Sequence, residues 1–240
     1  MRNYWYTACF AVYMAFGFSI FFIFNESTIN SLCKDGNLYE NLGAILFLLS
    51  SIVFFITYIK TEGIVLGFLR TKHNIFFLFA AIIFFIGFGE EINWGQRMIG
   101  FETPAWLKAI NVQGEFNFHN TLSDKRSPIS PNKPVIDMLF NLFWFCYGVV
   151  IPVLNKFSNT GKRFIEKLKF PVIPLYFGCF FLINYLAGKL ITLMYSTNLL
   201  INNKAINEIK EGVYAFIFFQ ISIYLYLSFA SSKNKNGDTR

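Results

Sequence analysis

Apolar residues gather into six long runs along this chain, at roughly 4–24, 42–59, 75–93, 135–154, 171–195 and 213–230. A helix that crosses the hydrocarbon core of a bilayer needs about 20 mostly apolar residues, within a range of about 17–25. Each run meets or approaches that length. The pattern predicts an all-α, polytopic membrane protein: one transmembrane domain over residues 1–240 with about six spans. The first run carries Tyr and Phe throughout and has no short apolar core followed by a small-residue cleavage site, so it reads as a retained span. The stretch 94–134, between the third and fourth runs, is the longest connection and is expected to form an interfacial or re-entrant insert.

The polar connections fix an expected orientation. Arg2 precedes the first run. Lys60, Arg70 and Lys72 lie between the second and third. Lys156, Lys162, Arg163, Lys167 and Lys169 separate the fourth and fifth, and Lys233, Lys235 and Arg240 follow the sixth. With six spans all of these fall on one side, while 25–41 and 196–212 hold only Lys34, Lys204 and Lys210. The positive-inside rule then places both termini in the cytoplasm and the insert outside. Arg97, Lys108, Lys125, Arg126 and Lys133 in the insert run against that rule.

Within the insert, ETPAWLKAI predicts a short helix, with Thr103 as its N-cap and Pro104 at the first helical position. Trp106, Leu107 and Ile110 give it an apolar face suited to the headgroup region. GEFNFHNTL predicts a further helical turn or two, and the proline-rich SPISPNKP is a surface loop leading into the fourth span.

Composition strengthens the membrane assignment. Charged residues make up 15% of the chain, against roughly 25% in soluble domains, and there are 32 Phe. The net charge of +7 would suit nucleic acid in a soluble protein. Here the basic residues sit between apolar runs, where orientation and anionic headgroups account for them. Cys9, Cys33, Cys146 and Cys179 show no metal-binding or disulfide spacing.

Against this background GEEINWGQRMIGFETPAWLKAINVQGEFNFHNTL, residues 89–122, stands out. Glu90 and Glu91 close the third span, and on a helix they diverge by about 100°. Glu90 and Trp94 are i,i+4, as are Asn93 and Arg97, and Glu115 and His119. Asp137 and Asn141 begin the fourth span, Asn184 and Lys189 lie in the outer half of the fifth, and Gln220 lies partway down the sixth. An isolated Asp or Lys near mid-helix costs about 2.5–3.5 kcal/mol to insert. These groups are therefore expected to satisfy one another around a polar cavity open to the outer side. A purely structural network, with Arg97 neutralising a glutamate and Lys189 pairing with Asp137, is the alternative. The chemistry the cluster suits is carboxylate acid–base work or a divalent metal held by carboxylates and one imidazole, Glu115 and His119. His73 falls at the opposite end of span three and reads as an interfacial residue.

EEINWGQR, ETP and NVQGEFNFHN together resemble the signature block of an uncharacterised family of bacterial multi-pass membrane proteins, whose members carry E-E-x-x-W-G-Q-R and Q-x-E-x-N-x-H-N runs. The resemblance covers about a seventh of the chain and implies an integral protein of the bacterial inner membrane. FHNTLS, Phe118 to Ser123, is similar to the F-H-x-T-L run of alkaline-ceramidase-like membrane hydrolases. That likeness implies lipid-facing hydrolysis with the histidine on zinc, although no histidine follows His119 here.

The leading expectation is a membrane-embedded hydrolase- or transferase-like enzyme acting on a lipid or lipid-linked substrate. Glu90, Glu91, Glu115 and His119 form its expected catalytic core. Arg97, Trp94, Gln96, Asn120, Asp137 and Lys189 form its expected substrate-binding set, with Arg97 on an anionic head group. A proton- or cation-coupled transporter using the same carboxylates, and a non-catalytic subunit whose insert docks a partner, are the alternatives.

Overall fold

The computed structural model describes residues 2–33, 36, 38–66, 69–109, 111, 114–118, 135–195 and 203–237. The apolar runs are helical, as predicted. In chain order they are α1 (Arg2–Ile23), α2 (Glu26–Leu32), α3 (Leu38–Lys60), the two-residue strands β1 (Val65–Leu66) and β2 (Leu69–Arg70), α4 (Ile75–Glu91), α5 (Gln96–Ile99), α6 (Ala105–Lys108), α7 (Val135–Phe145), α8 (Ile151–Phe157), α9 (Asn159–Lys167), α10 (Leu175–Tyr195) and α11 (Asn203–Gly237). Among the described residues five helical stretches are long and apolar enough to cross a membrane, or six if α4 and Asn93–Ile99, bent by 63° to each other, form one span. At 17 residues α4 rises about 25 Å, within reach of the ~30 Å hydrocarbon core.

Local chemistry sets the boundaries. Asn25, Asn74 and Ser158 cap α2, α4 and α9 by accepting the amides of Thr28, Phe76 and Gly161. The fourth span is not one regular helix, because α7 and α8 are joined by a π turn at Cys146–Val150. Pro152 explains the widening: it has no N–H to give the Gly148 carbonyl, and its ring would crowd that carbonyl in a tight turn. The π turn brings Gly148 against Gly178 of α10, where a Cβ on Gly178 would collide with the Gly148 carbonyl. Small residues at such a crossing let backbones approach, the means of packing helices where lipid offers no hydrophobic drive.

The core forms around α11. Half of its span is buried, against 17% of the span Met138–Phe157. Ile209, Val213, Ile217, Phe218 and Ile221 of α11 are fully enclosed. Phe218 packs on Phe84 of α4 and on Phe181 of α10, with ring centroids 4.8 and 4.9 Å apart. Asn184 donates to the Lys210 carbonyl at 2.9 Å and Gln220 donates to the Tyr6 carbonyl at 3.0 Å. These two amides, grouped with the polar cluster on sequence grounds, tie α10 and α1 to α11. The sixth helix begins at Asn203 rather than near 213, which adds two to three turns carrying Glu208 and Glu211.

The two ends of the bundle are both polar. At one end lie the α3–α4 connection, α9 and the C-terminal part of α11. At the other lie α2, the start of α3, the N-terminal part of α11 and the insert beginning at Asn93.

Candidate functional site

The site starts where α4 breaks. After Ile92 the backbone turns left-handed at three consecutive positions: Asn93 (φ 50°), Trp94 (φ 52°) and Gly95 (φ 80°). Glycine adopts this freely and asparagine tolerates it, whereas a residue with a bulky side chain loses about 1–2 kcal/mol. The turn folds the Trp94 indole back across Gly89, where a Cβ would sit 2.9 Å from the ring. Trp94 Nε1 then donates to Glu90 Oε1 at 2.7 Å. The i,i+4 relation read from the sequence is realised, but by a kink rather than by a continuing helix.

The far side of the insert closes on the same carboxylate. The Phe118 amide donates to Glu90 Oε2 at 2.6 Å, so both Glu90 oxygens hold donors and the side chain is fixed in one orientation. Gln96 accepts the Phe116 amide at 2.7 Å and donates to Thr103 Oγ1 at 2.8 Å and the Phe101 carbonyl at 3.1 Å. Asn111 accepts the Glu115 amide at 3.2 Å and donates to Asn117, whose own amide donates to Asn93 Oδ1 at 2.5 Å. The helical turn expected here is absent over 115–118 for a physical reason. The amides of Glu115, Phe116 and Phe118 are taken by side chains rather than by a helical ladder. The short helix after ETP is present, with Pro104 rather than Thr103 at its cap, because Thr103 serves Gln96.

Arg97 joins three segments. Its guanidinium donates to Glu40 at 2.9 Å and to Glu115 at 3.1 Å, and Glu40 also accepts the Gly36 amide. Burial pulls against the positive charge, but the hydrogen bonds Arg97 donates to the two carboxylates, with their charges, outweigh it and hold the Arg97 pKa above its ordinary value. Nearby, burial first and the charge of Glu208 second push the Cys33 thiol up to about 12.

Three carboxylates line a groove of about 410 Å³: Glu90 and Glu91 from the end of α4, and Glu211 from α11. Its remaining walls are apolar, with Phe47 of α3 and Leu139, Phe140 and Phe143 of α7. Of the sequence-predicted set, the structure brings Glu90, Trp94, Gln96, Arg97 and Glu115 into one hydrogen-bonded cradle, and puts Glu91 on the groove wall. Lys189 is exposed on α10, above the Tyr185 ring at 5.7 Å. Asp137 belongs to α7, and its side chain lies outside the described residues, as do His119 and Asn120. Among the described residues no group of three or more His, Cys, Asp or Glu side chains is placed to hold a metal ion.

Glu40, Glu211, Asn111 and Asn117 were not singled out from the sequence. Glu211 had a signal: Ala205, Ile206, Ile209 and Val213 continue the helical apolar spacing upstream of the sixth run, which carries Glu211 onto the helix. Glu40 pairs with Arg97 across 57 positions, and no local pattern announces that contact. Comparison of the chain with protein-family models, with curated proteins and with solved structures finds no match.

Proposed function

We propose that this protein is a membrane-embedded enzyme, hydrolase- or transferase-like, that uses carboxylate acid–base chemistry on a lipid or lipid-linked substrate. One observation carries the reading: a groove with apolar walls, set among membrane-spanning helices, ends at Glu90, Glu91 and Glu211. A hydrocarbon chain suits the walls, and the polar end of the same molecule then meets the carboxylates. Glu90 is held by two donors, so it positions the wall. Glu91 and Glu211 are the groups assigned to proton transfer, a role that contributes roughly 10²–10⁴-fold in rate. Arg97, already bridging Glu40 and Glu115, ties the insert to α3 rather than gripping a head group. Ion or proton transport would call for polar lining that continues beyond the carboxylates, and the groove there is walled by Ile83, Phe84 and Phe143.

The test compares extracted lipids from cells expressing the wild type, Glu91→Gln or Glu211→Gln at matched protein levels. A lipid class that changes with the wild type and reverts in either variant is the expected result. Identical lipid profiles in all three would remove the enzymatic reading.

A further inference from the structure

The groove does not stop below the carboxylates. Ile83, Phe84 and Phe143 also line a second, lower cavity of about 190 Å³, which runs on to Phe76 and Phe170. The two form one furrow along α4. From Phe76 to Glu91 that wall rises about 22 Å at ~1.5 Å per residue. Its lower section is lined by apolar side chains, Pro171 and the ring of Tyr147. The Phe76 and Phe170 rings meet edge to face at 4.7 Å and form its floor.

Two dimensions identify the occupant. The lower section holds about 190 Å³ over the roughly 10 Å between Phe76 and Ile83, a narrow apolar slot that suits a single hydrocarbon chain, and the carboxylates at the other end of the furrow suit the polar end of the same molecule. The length is the second dimension. One leaflet supplies about 15 Å of hydrocarbon depth, half of a ~30 Å core, and the furrow is longer than that.

We infer that this furrow is a chain-length gauge for a lipid whose single hydrocarbon tail reaches past the bilayer midplane, with its polar end at Glu90, Glu91 and Glu211 and its tail at Phe76 and Phe170. This deepens the enzymatic reading of the same site and rests on it for the polar end. Ile83 lines both sections, so a larger side chain there narrows the passage between them. Ala80 leaves the space below it.

The experiment uses the full chain in lipid nanodiscs with two long-chain alcohols tagged at the tail end with a diazirine. One has a leaflet-length tail and the other is about half again as long. Light-driven crosslinks are mapped by peptide mass spectrometry. The longer probe is expected to label 76–80 and Phe170, and the shorter one only the level of 83–87. Ile83→Trp should lower labelling of the deep section severalfold, by narrowing the junction of the two sections. Ala80→Phe should do the same should the Trp variant fail to fold. Leu186→Trp, on the exposed face of α10, should change nothing.

Equal deep labelling by both probes, or deep labelling untouched by both furrow variants, would mean ordinary surrounding lipid and would overturn the inference. Crosslinking to a second protein at the furrow would also overturn it. Lipid turnover by the wild type, measured beside the labelling, separates the two claims. Labelling without any wild-type lipid turnover would sink the enzyme alone, and turnover without deep labelling would sink the gauge alone.

Discussion

The two polar ends of the bundle differ in what their hydrogen bonds hold in place. At the α3–α4 connection, side chains serve backbone amides and carbonyls alike: Thr71 and Thr61 accept the amides of Ile64 and Asn74. His73 Nδ1 lies 2.9 Å from the Thr61 carbonyl, Asn74 donates to the Lys169 carbonyl at 2.7 Å, and Lys169 Nζ donates to the Gly63 carbonyl at 3.0 Å. Lys169 is left-handed (φ 49°), but it directly follows α9, where one left-handed residue routinely ends a helix. Its amide and that of Phe170 bond back to Glu166 and Ile165 in the usual manner of such an ending. At the insert a carboxylate joins the acceptors: Glu90 takes the Phe118 amide beside Gln96 and Asn111, and a left-handed run that includes Trp94 is tolerated to hold it. One end stitches loops shut. The other accepts backbone strain to fix a carboxylate, the pattern expected where geometry matters to function.

Perturbations at the two ends should therefore differ in kind. The largest effect is expected from Glu91→Gln, which should reduce lipid turnover by about 100-fold or more while leaving thermal unfolding in detergent unchanged. Turnover within a few-fold of wild type would remove Glu91 from the chemistry. Arg97→Ala leaves Glu40 and Glu115 facing each other without their shared donor. It should destabilise the protein by about 2 kcal/mol, discounted for partial exposure, and open the insert to protease. Gly89→Ala places a methyl against the Trp94 ring and should cost about 1–2 kcal/mol. It should also weaken turnover, because Trp94 can no longer hold Glu90, and Trp fluorescence would report the displaced indole. Lys169→Gly is the counterpart at the other end. Relief of the left-handed lysine offsets the lost bond to Gly63, so unfolding should shift by less than about 0.5 kcal/mol and turnover should not move. A strong loss of turnover in Lys169→Gly would erase the distinction between the ends.

Much of the architecture was legible because hydropathy is a local property. The spans, the insert between the third and fourth, and its short amphipathic helix follow from runs and periods that any window of the chain contains. The contact between Glu90 and Trp94 was legible for a less secure reason. Helical spacing put them on one face, and the kinked backbone happens to deliver the same pair. What could not be read is equally specific. Nothing in the string marks Trp94 as left-handed, since tryptophan there is held by its bond to Glu90 and its rest on Gly89. The Glu40–Arg97–Glu115 bridge joins segments far apart in sequence. The 114–118 loop looks helical until one counts which amides are already engaged. Asn184 and Gln220 share the site's polarity but work at helix crossings, because buried amides in an apolar bundle serve whichever carbonyl the packing presents.

The place of α11 in the chain adds a point about biogenesis. The helix that everything packs around is delivered by the ribosome after the other spans. Until it inserts, α1, α3, α4 and α10 lie in the bilayer with the faces that will receive it turned only toward lipid. Hairpin pairing of α3 with α4 through the Ser51 hydroxyl and the Ala81 carbonyl can precede it. The groove in full cannot, since Glu211 arrives on α11. The carboxylate set of the groove is thus complete only once α11 has joined α3, α4 and α7, which supply the rest of its walls.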